Sequence, residues 1–169
     1  MTEDLKAEHR KIVSATYCRF LNSIDWRDKV FVNGIREGRN KFLSNAFLYL
    51  DKRHKYLQGD FYSHEAYKKC EGNNLKGLVY EHVVPKRKYI QGPCEKKSRN
   101  KTLDEKFILD LLSRYWKIAI ITRDENSRLN RNSMPASWDR VDVLARYNEA
   151  QIKLKSYESW RNPPYSQRS

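Results

Sequence analysis

The sequence predicts an α+β chain, mostly helical, with a small two-stranded core near its centre, and three observations carry that prediction. Apolar residues recur at helical spacing through the first third and again in the last third. Two short β-rich runs, residues 77–84 and 117–121, stand in the middle. The second run leads into a helix-capping signature with no turn between them.

In chain order, residues 3–24 read as a helix, with Leu5, Ile12, Val13, Phe20, Leu21 and Ile24 near helical spacing. Residues 25–33 carry no decisive pattern. A second helix is expected over 35–57, through Phe42, Leu43, Ala46, Phe47, Tyr49 and Leu50, closed by Gln58-Gly59. A short helix over 64–70 ends at the turn signal Glu71-Gly72-Asn73-Asn74. Then comes the strand 77–84, stopped by Pro85, and a stretch from 85 to 101 that reads as a loop around Gly92-Pro93.

Thr102 and Glu105 have capping-box spacing and open a helix to Tyr115. The run KIAII, 117–121, is the second strand, and Thr122 with Glu125 forms a second capping box directly after it. A last helix is expected over 139–155, on Val141, Leu144, Ala145 and Ile152, followed by a loose tail from Ser156. The organisation expected is a helical N-terminal region 1–74, a core with its C-terminal helix over 75–155, and a tail 156–169.

Composition narrows the function. The chain has 169 residues, enough for one domain with a helical extension. The apolar fraction is 39% and the charged fraction 33%, yet 21 aromatics remain to build a core, which argues against disorder. No apolar run reaches the roughly 20 residues of a membrane span. The opening MTEDLKAEHR lacks the apolar stretch of a signal peptide. A cytoplasmic protein without membrane partners is expected. The net charge of +13 costs self-repulsion and points to a polyanionic partner, most often nucleic acid. Seven basic residues and one acid, Glu95, fall between Lys86 and Lys101. Cys18, Cys70 and Cys94 have neither zinc-site nor disulfide-framework spacing. His9, His54 and His64 stand alone.

The stretch GLVYEHVVPKR, 77–87, places Glu81-His82 inside an apolar strand, followed by Pro85 and bases. Neutral imidazole accepts a proton from water near pH 7, which phosphodiester hydrolysis requires. A cation near the leaving oxygen is the second requirement. Magnesium prefers oxygen ligands such as a Glu carboxylate and an Asn carbonyl. Adjacent strand residues point to opposite faces, so Glu81 and His82 share a site only where the strand is irregular or ending.

Glu81-His82-Val-Val-Pro85 and Ile120-Ile-Thr-Arg-Asp-Glu-Asn126 together resemble the HNH (ββα-metal) endonuclease superfamily, in a zinc-less form similar to restriction and defence nucleases. The likeness spans residues 75–129. It implies His82 as general base, Glu81 and Asn126 as metal ligands with Glu125 as substitute, and Mg2+, or Mn2+, as cofactor. The family's central Asn has no counterpart between Tyr115 and Ile121. Phosphate contacts are expected from Lys86, Arg87, Lys88, Lys96, Lys97, Arg99, Lys117, Arg123 and Arg128.

Each residue also has a plainer role: His82 as a backbone-bonded strand end, Glu81 in a salt bridge to Lys86 or Arg87, Asn126 as a polar helix position, Glu125 as a cap. The function expected is a metal-dependent endonuclease acting on double-stranded DNA, with RNA as alternative substrate and a homodimer as alternative state. The competing readings are a non-catalytic basic nucleic-acid-binding protein and a nuclease toxin with an acidic immunity partner.

Overall fold

A computed structural model describes residues 3–48 and 53–161, and the chain divides into two compact units, each built from two separated segments. One unit takes Met1–Lys52 and Lys86–Trp116, the other Arg53–Pro85 and Lys117–Ser169. The boundary expected at residue 74 does not coincide with this division. A local sequence pattern carries no signal of a chain that leaves a unit and re-enters it.

The first unit is helical: α1 (Glu3–Asn22), α2 (Lys29–Gly34) and α3 (Arg36–Leu48) from the first segment. Val13, Tyr17 and Leu21 recur every four residues on α1 and form its buried stripe, as the period requires. α2 occupies the stretch that had no decisive pattern, capped by Asp28, whose side chain accepts from Phe31 N–H. α3 confirms the second helix up to Leu48. The expected positions Tyr49 and Leu50 lie outside the described residues, and Lys55–Leu57 is a separate 3-10 turn.

The stretch expected as a loop is instead helical. A π-helical turn, Arg87–Gln91, runs without a break into α5 (Gly92–Arg99), while α4 (His64–Glu71) belongs to the other unit. Gly92-Pro93 read as a breaker, but Pro93 occupies the first turn of α5, just after the π-helical turn in which Gly92 N–H donates to Arg87 O. Ile90, Gln91, Cys94 and Ser98 form the buried side. α5 closes with Lys101 at φ 57, as Thr102 N–H donates to Lys97 O and Lys101 N–H to Ser98 O. Thr102 is thereby consumed in ending α5, its hydroxyl also reaching Lys97 O. The cap of α6 (Glu105–Tyr115) is therefore Asp104, which accepts from Phe107 N–H at 2.7 Å, and the expected Thr102–Glu105 box is corrected.

The second unit is built on a four-stranded sheet in the order β2-β3-β1-β4, larger than the two strands expected. Its strands are β1 (Phe61–Ser63), β2 (Leu78–His82), β3 (Ile118–Thr122) and β4 (Leu154–Lys155). β3 is central, antiparallel to β2 and parallel to β1, while β1 and β4 run antiparallel. Ile118 to Ile121 are all buried, which explains a continuous apolar run rather than an alternating one. β1 and β4, with three and two residues, are too short for periodicity to reveal.

α4 and then Tyr157 and Trp160 of α9 (Tyr157–Arg161) pack on the face of Tyr62, Leu78, Ile118 and Ile120. Trp160 Nε1 donates to Tyr62 O at 2.7 Å, so residues 157–161 are not the loose tail expected; residues 162–169 lie outside the described ones. The opposite face carries Val83, Ala119, Ile121, Leu129, Tyr147 and Ile152. The helix expected over 139–155 shrinks to α8 (Ala145–Glu149). Val141, assigned to its apolar face, is 79% exposed, and Gln151 breaks the pattern with a φ of 55.

Gly59 precedes β1 where a Cβ would stand 2.6 Å from Ile120 Cγ1 and 3.0 Å from Phe61 O. We expect Gly59→Ala to destabilise the sheet unit by about 1–3 kcal/mol, the usual cost of overpacking, measured as a lower midpoint in urea unfolding.

Candidate functional site

β2 pairs with β3 in a register that matches Leu78 with Thr122 and His82 with Ile118. Alternation then assigns the side chains. His82 falls on the face of Leu78 and Tyr80, and its ring meets the Tyr80 ring edge-on at 6.2 Å. Burial, with the Asp60 carboxylate and the Tyr62 hydroxyl nearby, pushes the Tyr80 phenol well above its usual range. Asp60 flanks the same end of the sheet: its N–H donates to Ile118 O at 2.9 Å, and its Oδ2 accepts from Ile118 N–H at 2.8 Å. Glu81 falls on the other face, beside Val79 and Val83.

There Glu81 meets the most constrained charged side chain of this unit. Arg146, at the start of α8, is fully buried. Its Nη2 donates to Glu81 Oε1 at 2.8 Å and also to His82 O; its Nε donates to Val83 O at 2.8 Å, and its Nη1 to Asn130 O at 2.9 Å. One planar donor fork thus holds a carboxylate and the carbonyls of two consecutive residues at the end of β2. Glu81 has its salt bridge, but to Arg146 rather than to Lys86 or Arg87. Burial pushes the neighbouring Tyr147 phenol upward, against the opposing pull of Arg146. Sequence reasoning missed Arg146. The available signal was one arginine within Val143-Leu144-Ala145-Arg146-Tyr147, an otherwise apolar run.

At the far end of the ladder, Thr122 ends β3 and caps α7 (Arg123–Ser127). The capping box expected here is present: Thr122 Oγ1 accepts from Glu125 N–H, and Thr122 N–H donates to Glu125 Oε2 at 2.8 Å. Glu125 Oε2 also accepts from the Ser63 hydroxyl at 2.6 Å and the Thr122 hydroxyl at 3.1 Å. Glu125 is therefore committed as a cap and as a tie to β1. Asn126 Oδ1 is buried without a hydrogen-bond partner.

These positions decide whether a magnesium ion fits. Thr122 and His82 are four ladder pairs apart, roughly 13 Å along the strands. Leu129, just beyond α7, joins the cluster on Glu81's face, opposite His82. Glu81 faces Arg146, and no group of three or more His, Cys, Asp or Glu among the described residues could hold a metal ion. Glu81 and His82 fall on opposite faces and Glu81 is held by Arg146, so these two side chains do not fit a shared Mg2+ or Mn2+.

The basic residues divide between the units. Lys86 is half-buried, donating to Asn40 O at 3.3 Å and to the Ser44 hydroxyl. Arg87, Lys88, Lys96 and Arg99 are exposed. Lys97 lies 4.7 Å over the Phe107 ring, and the Arg99 guanidinium 4.2 Å over Trp26. In the sheet unit, Lys117 is half-buried, while Arg123 and Arg128 are exposed; Arg128 also donates to Ala150 O at 3.3 Å. No helix among the described residues is long and apolar enough to cross a membrane. Comparison of the chain with protein-family models, curated proteins and solved structures finds no match.

Proposed function

We propose that this chain is a nucleic-acid-binding protein whose helical unit grips the phosphate backbone through the segment 87–99. One observation carries the reading. The most basic stretch of a +13 chain is a packed helix with Ile90, Gln91, Cys94 and Ser98 beneath it and Arg87, Lys88, Lys96 and Arg99 outside. A helix anchored along one side fixes the Cα positions of its cations, so less chain entropy is lost on binding than from a loop. Neutralising phosphates then releases counterions, which drives association.

Double-stranded DNA is the substrate argued for, with RNA as the comparison. Fluorescence anisotropy on a labelled duplex should give log Kd rising with log salt at a slope of about 3–4, from four phosphate contacts. Absence of binding at roughly 50 mM salt would defeat the proposal.

The endonuclease reading stands second. It is favoured by the order of β2, β3 and α7, in which an antiparallel pair runs into a capped helix, with His82 closing β2. Supercoiled plasmid incubated with Mg2+ or Mn2+ separates the two. Nicking that disappears in His82→Ala supports the endonuclease; binding that ignores metal and His82 supports the first reading.

A further inference from the structure

The helical unit exposes an apolar tip that nothing in its core requires. α2 is six residues long, and of its residues only Val32 turns inward. Val30 is 84% exposed and Phe31 49%. The tip is held firmly for so short a helix. Asp28 caps it, Ile35 N–H donates to Phe31 O at 3.0 Å, and the preceding turn is pinned to α5, where Trp26 Nε1 donates to Ser98 Oγ at 2.9 Å. The Ser98 hydroxyl in turn donates to Leu21 O at 2.8 Å.

Because Arg99 stacks on Trp26, the surface passes from the cations of α5 through Trp26 to the tip. Arg27 and Lys29 flank the apolar pair, and Lys101 lies within electrostatic reach of Asp25. The two acids nearby are engaged: Asp25 binds Arg27 at 2.9 and 3.0 Å, which holds its carboxyl near 2, and Asp28 serves as the cap.

A cation-rimmed apolar point adjoining the helix assigned above to the phosphates suits a base step whose face has been opened. Intact duplex offers that tip sugars and phosphates, whereas an unstacked base offers an apolar face. We propose that Val30 and Phe31 form a wedge that enters an unstacked or unpaired step of the nucleic acid held by α5, making distorted duplex the preferred substrate. This rests on the nucleic-acid-binding reading.

The test compares a fully paired duplex with the same duplex carrying one bulged 2-aminopurine. Wild-type protein should bind the bulged duplex about tenfold more tightly and change the 2-aminopurine fluorescence. The double variant Val30→Ser, Phe31→Ala should lose both effects while keeping the salt slope and the melting temperature. Equal affinity of the wild type for the two duplexes, or an unchanged preference in the variant, overturns the wedge alone. No binding to either overturns the nucleic-acid reading with it. Two further results reassign the tip and also overturn the wedge: variant-sensitive binding to phosphatidylserine vesicles, or a wild-type dimer in sedimentation that the variant abolishes.

Discussion

Arg146→Ala is expected to destabilise the sheet unit by about 3–5 kcal/mol, because it strands Glu81 beside an apolar cluster without its counter-charge. The carbonyls of His82, Val83 and Asn130 lose donors at the same time, and a buried acceptor left unmet costs about 1–3 kcal/mol. Chemical denaturation followed by circular dichroism measures the loss. Arg146→Lys keeps the charge but cannot reproduce a planar fork with four acceptors around it, so it should fall between wild type and Arg146→Ala. Glu81→Leu combined with Arg146→Met should be milder than Arg146→Ala alone, since it removes both charges and leaves only the carbonyls unmet. A loss under about 1 kcal/mol for Arg146→Ala would mean that the end of β2 does not depend on this arginine.

Replacing Arg87, Lys88 and Lys96 together by glutamine should weaken duplex binding by several hundredfold at about 0.1 M salt. Each removed phosphate contact takes about 0.9 from the salt slope, so the slope should fall by nearly 3. All three side chains are exposed on the outer side of the helical segment, so the melting temperature should stay within a degree or two of wild type. The same substitutions at Arg123 and Arg128 probe the sheet unit in parallel. If those alone abolish binding and the first three do not, the phosphate-contacting element has been assigned to the wrong unit.

Much of the fold was legible wherever local chemistry had no competitor. The Thr122–Glu125 box held because β3 ends there and Thr122 N–H finds its acceptor in the Glu125 carboxylate. The Thr102–Glu105 box failed because closing α5 recruited Thr102, and Asp104 stood two residues nearer the helix it caps. The run 85–101 looked like a loop because Gly and Pro signal a break without telling whether the break is the first turn of a helix. The Glu81-His82 pair was correctly read as unusual for a core strand. The partner of Glu81 lay 65 positions away in Arg146, and charged residues are ordinarily assigned to the surface. The likeness to a nuclease came from the order of motifs along the chain, whereas strand register and alternation decide which side chains share a face. That information is tertiary.

The division of the helical unit between two chain segments has a consequence for its synthesis. α1 emerges first, with Val13, Tyr17 and Leu21 on one side, yet α6, against which it packs, ends only at Tyr115. In between, the ribosome delivers the first two strands of the other unit, whose central strand β3 comes later still. Neither unit can close on the nascent chain until α6 has left the tunnel, and the sheet unit completes only once β3 and then β4 have followed. At roughly 5–20 residues per second, α1 waits about 5–20 seconds for α6, with only α3, through the Tyr17–Phe42 stack, covering part of its apolar stripe in the meantime.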